Sequence, residues 1–203
     1  ASGVCEKPVI IVSSKHTLVQ DYLGDRGIYV VQEKQLGTGH AAAQAAVVLE
    51  DKIEHLIVLY GDMPFLKPGS IQHLSNQHTT EQNTLTMMTV TVPNFEHQYS
   101  SLKDFGRIVR DQNGKITKSV EVRDATPAEI KIREVNPCYY CFEAQWFWKE
   151  VKNLSNNNAQ GEYYLTDLVD QAIKNGKVSS IAINPEEAFG INTKEQLDIA
   201  QTI

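Results

Sequence analysis

Unbroken apolar runs separated by helix-like segments fill the first third of the chain. Pro8 to Val12 (Pro-Val-Ile-Ile-Val) reads as a buried strand, Lys15 to Leu23 as a short helix closed by Gly24, and Ile28 to Gln32 as a second strand. Gly39 to Leu49 is rich in alanine, the best helix former, and predicts a helix. Leu56 to Tyr60 is another continuous apolar run. Continuous runs suit parallel strands covered on both faces. The order strand, helix, strand, helix, strand therefore predicts a βαβ parallel sheet. Pro68 to Gln77 follows as a helix with proline at an early position, where a missing N–H is tolerated.

The texture then changes. Thr84 to Val92 alternates polar and apolar residues and is rich in Thr and Val, as a strand should be. Phe105 to Arg110 and Lys115 to Val122 flank Asp111-Gln112-Asn113-Gly114, and Asn-Gly between two such runs is a strong hairpin signal. Glu134 to Phe142 reads as a strand, Glu143 to Val151 as a helix containing Trp146 and Trp148, and Asn156 to Gln160 as a polar loop. A helix over Tyr164 to Asn175 stops before Gly176; a strand over Val178 to Ile183 and a closing helix from Thr193 to Ile203 complete the pattern. That last helix has a Thr or Asn available as its cap. No internal repeat is visible. Ala1-Ser2-Gly3 reads as the tail of a helix ending at a glycine cap, which predicts that something precedes the first strand.

With 203 residues, of which 41% are hydrophobic and 22% charged, the chain has the make-up of one globular domain with a sizeable core. No run approaches the length needed to cross a bilayer, and nothing at the start reads as a signal peptide, so a cytoplasmic protein without membrane partners is expected. The formal charge of −6 and the lack of a Lys/Arg cluster argue against nucleic acid. A small anionic ligand stays open, since backbone N–H groups and a metal can hold one locally. The three cysteines, Cys5, Cys138 and Cys141, fit neither a disulfide framework nor a closed zinc site. Cys138-Tyr139-Tyr140-Cys141 lies in an apolar run, where reduced core thiols are the simplest reading.

Two segments point to chemistry. Gln35-Leu36-Gly37-Thr38-Gly39-His40-Ala41 is a glycine-rich turn opening a helix. Glycine lets backbone N–H groups approach a base or phosphate, the helix N-terminus favours anions, and Thr38 adds a hydroxyl donor. The same residues also suit a tight turn with no ligand. Gln32, at the end of its strand, is either a base-reading amide or a solvated strand end. Leu59-Tyr60-Gly61-Asp62-Met63-Pro64 ends an apolar strand on a single aspartate. Ligands of open α/β sheets bind beyond such strand ends, and Mg²⁺ takes one or two carboxylates plus substrate phosphates. Asp62 is thus a metal ligand or a cap on the Met63-Pro64 turn. Gly106, Glu121 and Asn136 form a third set, individually ordinary, that together supply the mixed donors and acceptors a sugar needs. Asn192, after Phe189-Gly190-Ile191, is a second metal oxygen or a helix cap.

Taken in order, these segments resemble the sugar-1-phosphate nucleotidyltransferases, above all the uridyltransferase domains of the bifunctional N-acetylglucosamine-1-phosphate uridyltransferases. The likeness runs through Gln32 to His40, Tyr60 to Pro64, Phe105 to Ile108, Val120-Glu121 with Asp124-Ala125-Thr126, Glu134-Val135-Asn136, Asn156 to Asp167, and Gly190-Ile191-Asn192. Asn156-Asn157-Asn158-Ala159-Gln160-Gly161-Glu162-Tyr163-Tyr164 is its most specific stretch. The resemblance implies a Rossmann-like, GT-A-like α/β fold: a mostly parallel sheet with helices on both faces and a small β-hairpin lobe. It implies a nucleotide-binding half over 1–92 and a sugar-binding half over 93–203. Gln32, Gly37, Thr38, Tyr60, Gly61 and Asp62 would hold the nucleotide, Gly106, Glu121 and Asn136 the N-acetylglucosamine moiety, and Asp62 with Asn192 a catalytic Mg²⁺. UTP and a sugar-1-phosphate would react to give a UDP-sugar and pyrophosphate.

Two departures qualify this. The family's Leu-x-Ala-Gly-x-Gly-Thr-Arg-Met loop and its following lysine, which hold the triphosphate, have no counterpart. Roughly one βαβ unit, about 30 residues, is expected to be absent, and the chain alone to be poorly active. Asn136-Pro137-Cys138 stands where the family has Asn-Thr-Gly, which leaves the sugar open. A non-catalytic nucleotide-sugar binder is the alternative. A homo-oligomer, or a pairing with a missing N-terminal segment across an exposed sheet edge, is the third reading.

Overall fold

The computed structural model describes residues 3–158 and 160–201. Strands are β1 (Val9–Ser13), β2 (Ile28–Gln32), β3 (His55–Val58), β4 (Leu85–Thr91), β5 (Gly106–Arg110), β6 (Ile116–Val120), β7 (Glu134–Asn136), β8 (Tyr140–Glu143) and β9 (Val178–Ala182). Helices are α1 (Leu18–Leu23), α2 (Thr38–Gln44), α3 (Ala46–Leu49), α4 (Pro68–Glu81), α5 (Ala144–Val151), α6 (Thr166–Asn175) and α7 (Lys194–Ala200). Among the described residues no helix is long and apolar enough to cross a membrane. The expected helix tail at Ala1-Ser2 and the last two residues of the expected closing helix lie outside the described residues.

A seven-stranded sheet runs β3-β8-β4-β7-β5-β6, with β9 paired to β4. β4 organises it: its first residues pair with β8 on one side and β9 on the other, and its last two with β7. β8, from late in the chain, lies between β3 and β4. The α/β class matches the sequence reading, but the sheet is less parallel than that reading expected. Only β1–β2 and β4–β9 pair in parallel; β8, β7 and the β5–β6 hairpin run antiparallel to their neighbours. The βαβ pattern also delivers only a two-stranded unit: β1 and β2 form their own sheet, apart from β3.

Two element boundaries depart from the sequence reading for local reasons. The run Glu134 to Phe142 is two strands, because Pro137 has no N–H to give a ladder and Cys138 takes a left-handed φ of 63°. The alanine-rich helix is broken at Ala45 into α2 and α3. The Thr84 to Val92 run forms a strand as expected, and despite its alternation Leu85 to Val90 are all buried. Leu85 and Met87 pack with Tyr140, Phe142, Phe147 and Leu168 on one face, and Met88 with Leu74, Tyr139 and Ile181 on the other. Each such side chain contributes roughly 1.5–3 kcal/mol. The hairpin forms as expected, with Gly114 at φ 81° accommodating the turn that its N–H closes onto Asp111 O at 3.0 Å.

Buried polar groups brace this core. Arg107 on β5 is 2% exposed; its guanidinium donates to the backbone carbonyls of Ile130, Phe105 and Lys103, and lies 4.5 Å over the Phe95 ring. Under β4, Asn83 Nδ2 donates to Thr86 Oγ1 at 3.0 Å, and the Thr86 hydroxyl faces His78 Nδ1, also at 3.0 Å. His78 is fully buried, with its ring 5.0 Å from that of His55.

Burial, reinforced by His55, lowers His78 from 6.5 to about 4. The unfolded chain therefore takes up this proton first as pH falls. The stability that neutral His78 provides is complete above about pH 6.5 and is lost towards pH 4, roughly 3 kcal/mol in all. Urea unfolding across that range should show this loss in the unsubstituted protein and a flatter profile in His78→Gln. Parallel profiles would contradict it.

Candidate functional site

The glycine turn is built against a second segment of chain. Tyr163 N–H donates to Leu36 O at 2.8 Å, Gly39 N–H to Tyr163 O at 2.8 Å, and Leu165 N–H to Thr38 Oγ1 at 3.0 Å. A Cβ on Gly37, whose φ is 107°, would meet Tyr163 O at 2.6 Å; one on Gly39 would meet Leu154 Cδ1 at 2.5 Å. The glycines are thus required for close approach of Tyr163, not first for access of a ligand, and Thr38 spends an acceptor site within the protein. The specific Asn156 to Tyr164 stretch has the corresponding job. Asn158 Oδ1 accepts from the N–H groups of Gln160 and Glu162, and its Nδ2 donates to Glu162 O, so the loop carries Tyr163 onto the turn. Ala159 of that stretch lies outside the described residues.

Gln32 is a buried residue and not a solvated strand end. Its Nε2 lies 2.7 Å from His40 Nδ1 and 3.3 Å from Gly37 O. The amide is therefore held at the edge of the same turn. Tyr60, just beyond β3, contacts the Thr38 hydroxyl and is raised above the ordinary tyrosine range, first by burial and next by Cys138.

Gly61 and Asp62 follow at the exposed end of β3. Asp62 O accepts from Ile191 N–H at 2.8 Å, which brings the loop carrying Asn192 to the aspartate's corner. Buried Glu187 fixes that loop, its carboxylate accepting from the N–H groups of Lys67 and Asn184. Asn192 is not the helix cap: Thr193 Oγ1 accepts from Gln196 N–H, and Gln196 Oε1 accepts from the N–H groups of Asn192 and Thr193. The Asp62 carboxylate and the Asn192 carboxamide make no hydrogen bond or ion pair among the described residues. No cluster of three or more His, Cys, Asp or Glu exists among them either. One free carboxylate beside one neutral oxygen fits Mg²⁺, which keeps most of its shell for water and phosphate; it does not fit a closed protein cage for zinc.

The third set also converges. Gly106 pairs with Asn136, and Arg107 with Val120, which places Glu121 at Gly106. A Cβ on Gly106 would lie 3.7 Å from both Glu121 carboxylate oxygens. Asn136 is buried; its Nδ2 donates to Tyr140 OH at 2.7 Å and Ser119 Oγ at 3.3 Å, and its Oδ1 accepts from Cys138 N–H at 2.9 Å. Asn136 therefore shapes this wall by holding Tyr140 and the left-handed Cys138. Glu121 is exposed as a residue, yet partial withdrawal of its carboxyl from water raises it, with Asp124 and Asp167 adding to the rise and Thr166 and Arg123 opposing it. Burial raises the Cys138 and Cys141 thiols to about 12, so both stay protonated and neither is a nucleophile. Cys138 stood out in the sequence as a departure from the family's Asn-Thr-Gly, whereas Tyr140 was read only as part of an apolar run.

A charged cavity of about 560 Å³ near Glu50, Trp148 and Lys152 stands apart from these residues. A smaller one of about 250 Å³, lined by Leu36, His40 and Tyr163, backs the glycine turn.

Residues 1–166 match the model of the MobA-like NTP transferase domain. The bifunctional protein GlmU of Acetivibrio thermocellus is 40% identical over 194 residues, covering 95% of this chain and 41% of that protein. GlmU of Brevibacillus brevis is 38% identical, covering 99% of this chain and 42% of its own length. The chain thus spans about two fifths of these relatives. A candidate glucose-1-phosphate thymidylyltransferase of Bacillus anthracis, solved with sucrose, shares the fold at a TM-score of 0.72 and 21% identity, covering 96% of this chain and 74% of that one.

Gly37→Ala tests the built turn. It should destabilise the protein by about 1–3 kcal/mol in urea unfolding, and speed hydrogen exchange of the Gly39 amide, whose acceptor is Tyr163 O. Unchanged stability and exchange would show that the turn tolerates a side chain.

Proposed function

The chain belongs to the MobA-like NTP transferase family, and we propose that within it this protein handles UTP and N-acetylglucosamine-1-phosphate, forming UDP-N-acetylglucosamine and pyrophosphate. One observation carries this reading. Each of the three residue sets predicted separately is joined within itself: Gln32 to the glycine turn, Asp62 to the loop of Asn192, and Gly106 beside Glu121. The similarity to the GlmU proteins supports the choice of substrates.

In this reading a phosphate oxygen of the sugar-1-phosphate attacks the α-phosphorus of UTP, forming the new P–O bond as the bond to pyrophosphate breaks. The Gln32 amide is held by Gly37 O and His40 to meet a base edge. Tyr60, its proton retained, lines the floor between turn and wall. Glu121 accepts hydrogen bonds from sugar hydroxyls across the opening left by Gly106. Asp62 and Asn192 would hold Mg²⁺, which supplies charge neutralisation at the phosphates when bound. The protein's own contribution is alignment, worth many orders of magnitude when two reactants must meet in line.

The 203 residues contain no glycine-rich Arg/Lys phosphate loop, so turnover by this chain alone should be slow, and binding is the cleaner readout. A non-catalytic nucleotide-sugar binder is the second reading, favoured by the glycine turn, whose Gly37, Thr38 and Gly39 are already engaged within the protein.

Asp62→Ala separates the two. The enzyme reading expects Mg²⁺-dependent binding of UDP-N-acetylglucosamine that weakens at least about tenfold in the variant, with pyrophosphate release reduced roughly 10²–10³-fold. Calorimetric titration with and without Mg²⁺ measures the first. Affinity indifferent to both Mg²⁺ and the substitution would favour the binder.

A further inference from the structure

Two loops far apart in sequence run side by side, and one buried carboxyl joins them. Residues 62–67 lead from β3 into α4, and residues 184–192 follow β9 and end on Asn192. The two run antiparallel. Ile191 N–H donates to Asp62 O at 2.8 Å, the Phe65 and Phe189 rings lie 5.9 Å apart, and Lys67 N–H donates to Glu187 Oε2 at 3.0 Å. Glu187 is 2% exposed and forms no ion pair among the described residues. A buried carboxyl without a cation is costly unless its oxygens are hydrogen-bonded. Here each oxygen takes one backbone N–H. Oε2 takes that of Lys67 at the head of α4, and Oε1, at 3.4 Å, that of Asn184 at the head of its own turn. Tyr139 OH in turn donates to Glu187 O at 2.8 Å. Beyond Glu187 the loop reaches Gly190. A Cβ there would lie 3.5 Å from Asn192 Nδ2 and 4.0 Å from Asp62 O, so the Asn192 carboxamide turns back over Gly190 towards the aspartate's corner.

We infer that Glu187 is a positioning residue for this corner: it fastens the 184–192 loop to the head of α4 and so holds Asn192 beside Asp62. That the corner takes a divalent cation rests on the proposed function; the part played by Glu187 rests on these contacts. A single hydrogen bond, from Ile191 to Asp62 O, would let the loop pivot. The second fastening, at Glu187, removes that freedom, and the Phe65–Phe189 contact fills the space between the two. A shared ion needs both oxygens at a fixed spacing, since Mg²⁺ demands near-ideal octahedral geometry.

Glu187→Gln keeps the shape but leaves one acceptor and sets an NH₂ group against a backbone N–H. Glu186→Gln makes the same change at the exposed neighbour and is the control. In the metal-free protein, hydrogen exchange of the Ile191 amide should speed at least about tenfold in Glu187→Gln and stay unchanged in Glu186→Gln. Mn²⁺, a paramagnetic ion that suits the same oxygen ligands as Mg²⁺, should broaden the Asp62 and Asn192 amide resonances together in the unsubstituted protein. In Glu187→Gln, broadening at Asn192 should need about ten times more Mn²⁺. A Glu187 of merely structural value would lower the melting temperature and leave both readouts of the folded protein unmoved. Should Glu187→Gln not fold, Tyr139→Phe, which keeps the ring and loses the donor to Glu187 O, decides by the same two readouts. Unchanged Ile191 exchange, or broadening of Asn192 at the same Mn²⁺ concentration in variant and unsubstituted protein, overturns the inference. Mn²⁺ that broadens neither residue in the unsubstituted protein would remove the metal reading, while Ile191 exchange still decides the role of Glu187.

Discussion

The seating of Tyr163 to Leu165 on the turn Leu36 to Gly39 is the constraint on which the cleft depends. Three hydrogen bonds join segments more than a hundred residues apart in sequence, each worth only about 1 kcal/mol net. Their importance lies in geometry. Gly37 and Gly39 allow the two backbones to come together where any side chain would collide with Tyr163 O or Leu154. Once they meet, Thr38 is aimed at Tyr60, Gln32 is tied to Gly37 and His40, and α6 begins just beyond the turn.

The sheet supplies the frame. β4, buried along nearly its whole length, joins three core clusters and three neighbouring strands. The ends of β3, β5 and β6 then present Asp62, Gly106 and Glu121. The parallel pair β1–β2 stands outside this frame as a separate sheet. Val9 and Ile11 pack against the main core, but Leu18 and Tyr22 of the intervening α1 are 75% and 79% exposed. Strands as apolar as β1 and β3 usually lie inside a sheet covered on both faces, whereas among the described residues each has one unpaired edge.

Much of this was legible in the residues. Apolar runs located β1, β2 and β3, Asn113-Gly114 located the hairpin, and Asp62 stood out as a lone carboxylate after a strand. What escaped was whatever depends on a distant partner. Thr84 to Val92 was legible as a strand, but not as one buried on both faces, because nothing local announces that α4 covers one face and α5 and α6 the other. Pro137 was visible, but the left-handed Cys138 it accompanies was not. Gly37 and Gly39 looked like ligand-binding glycines, and only Tyr163 reveals their packing role. Gln32 read as either a base-reading amide or a solvated strand end, and Asn136 as an ordinary strand residue, since the groups that hold them lie elsewhere in the chain.

The central claim is that turn, metal corner and wall form one nucleotide-sugar cleft, with the turn held by the 163–165 segment. Backbone amide NMR during titration with UDP-N-acetylglucosamine and Mg²⁺ tests it most directly. The account predicts that resonances of Leu36 to Gly39, Asp62, Gly106, Glu121 and Asn192 shift together with a single dissociation constant. Shifts confined to one of these groups, or centred on the charged cavity near Trp148, would contradict it.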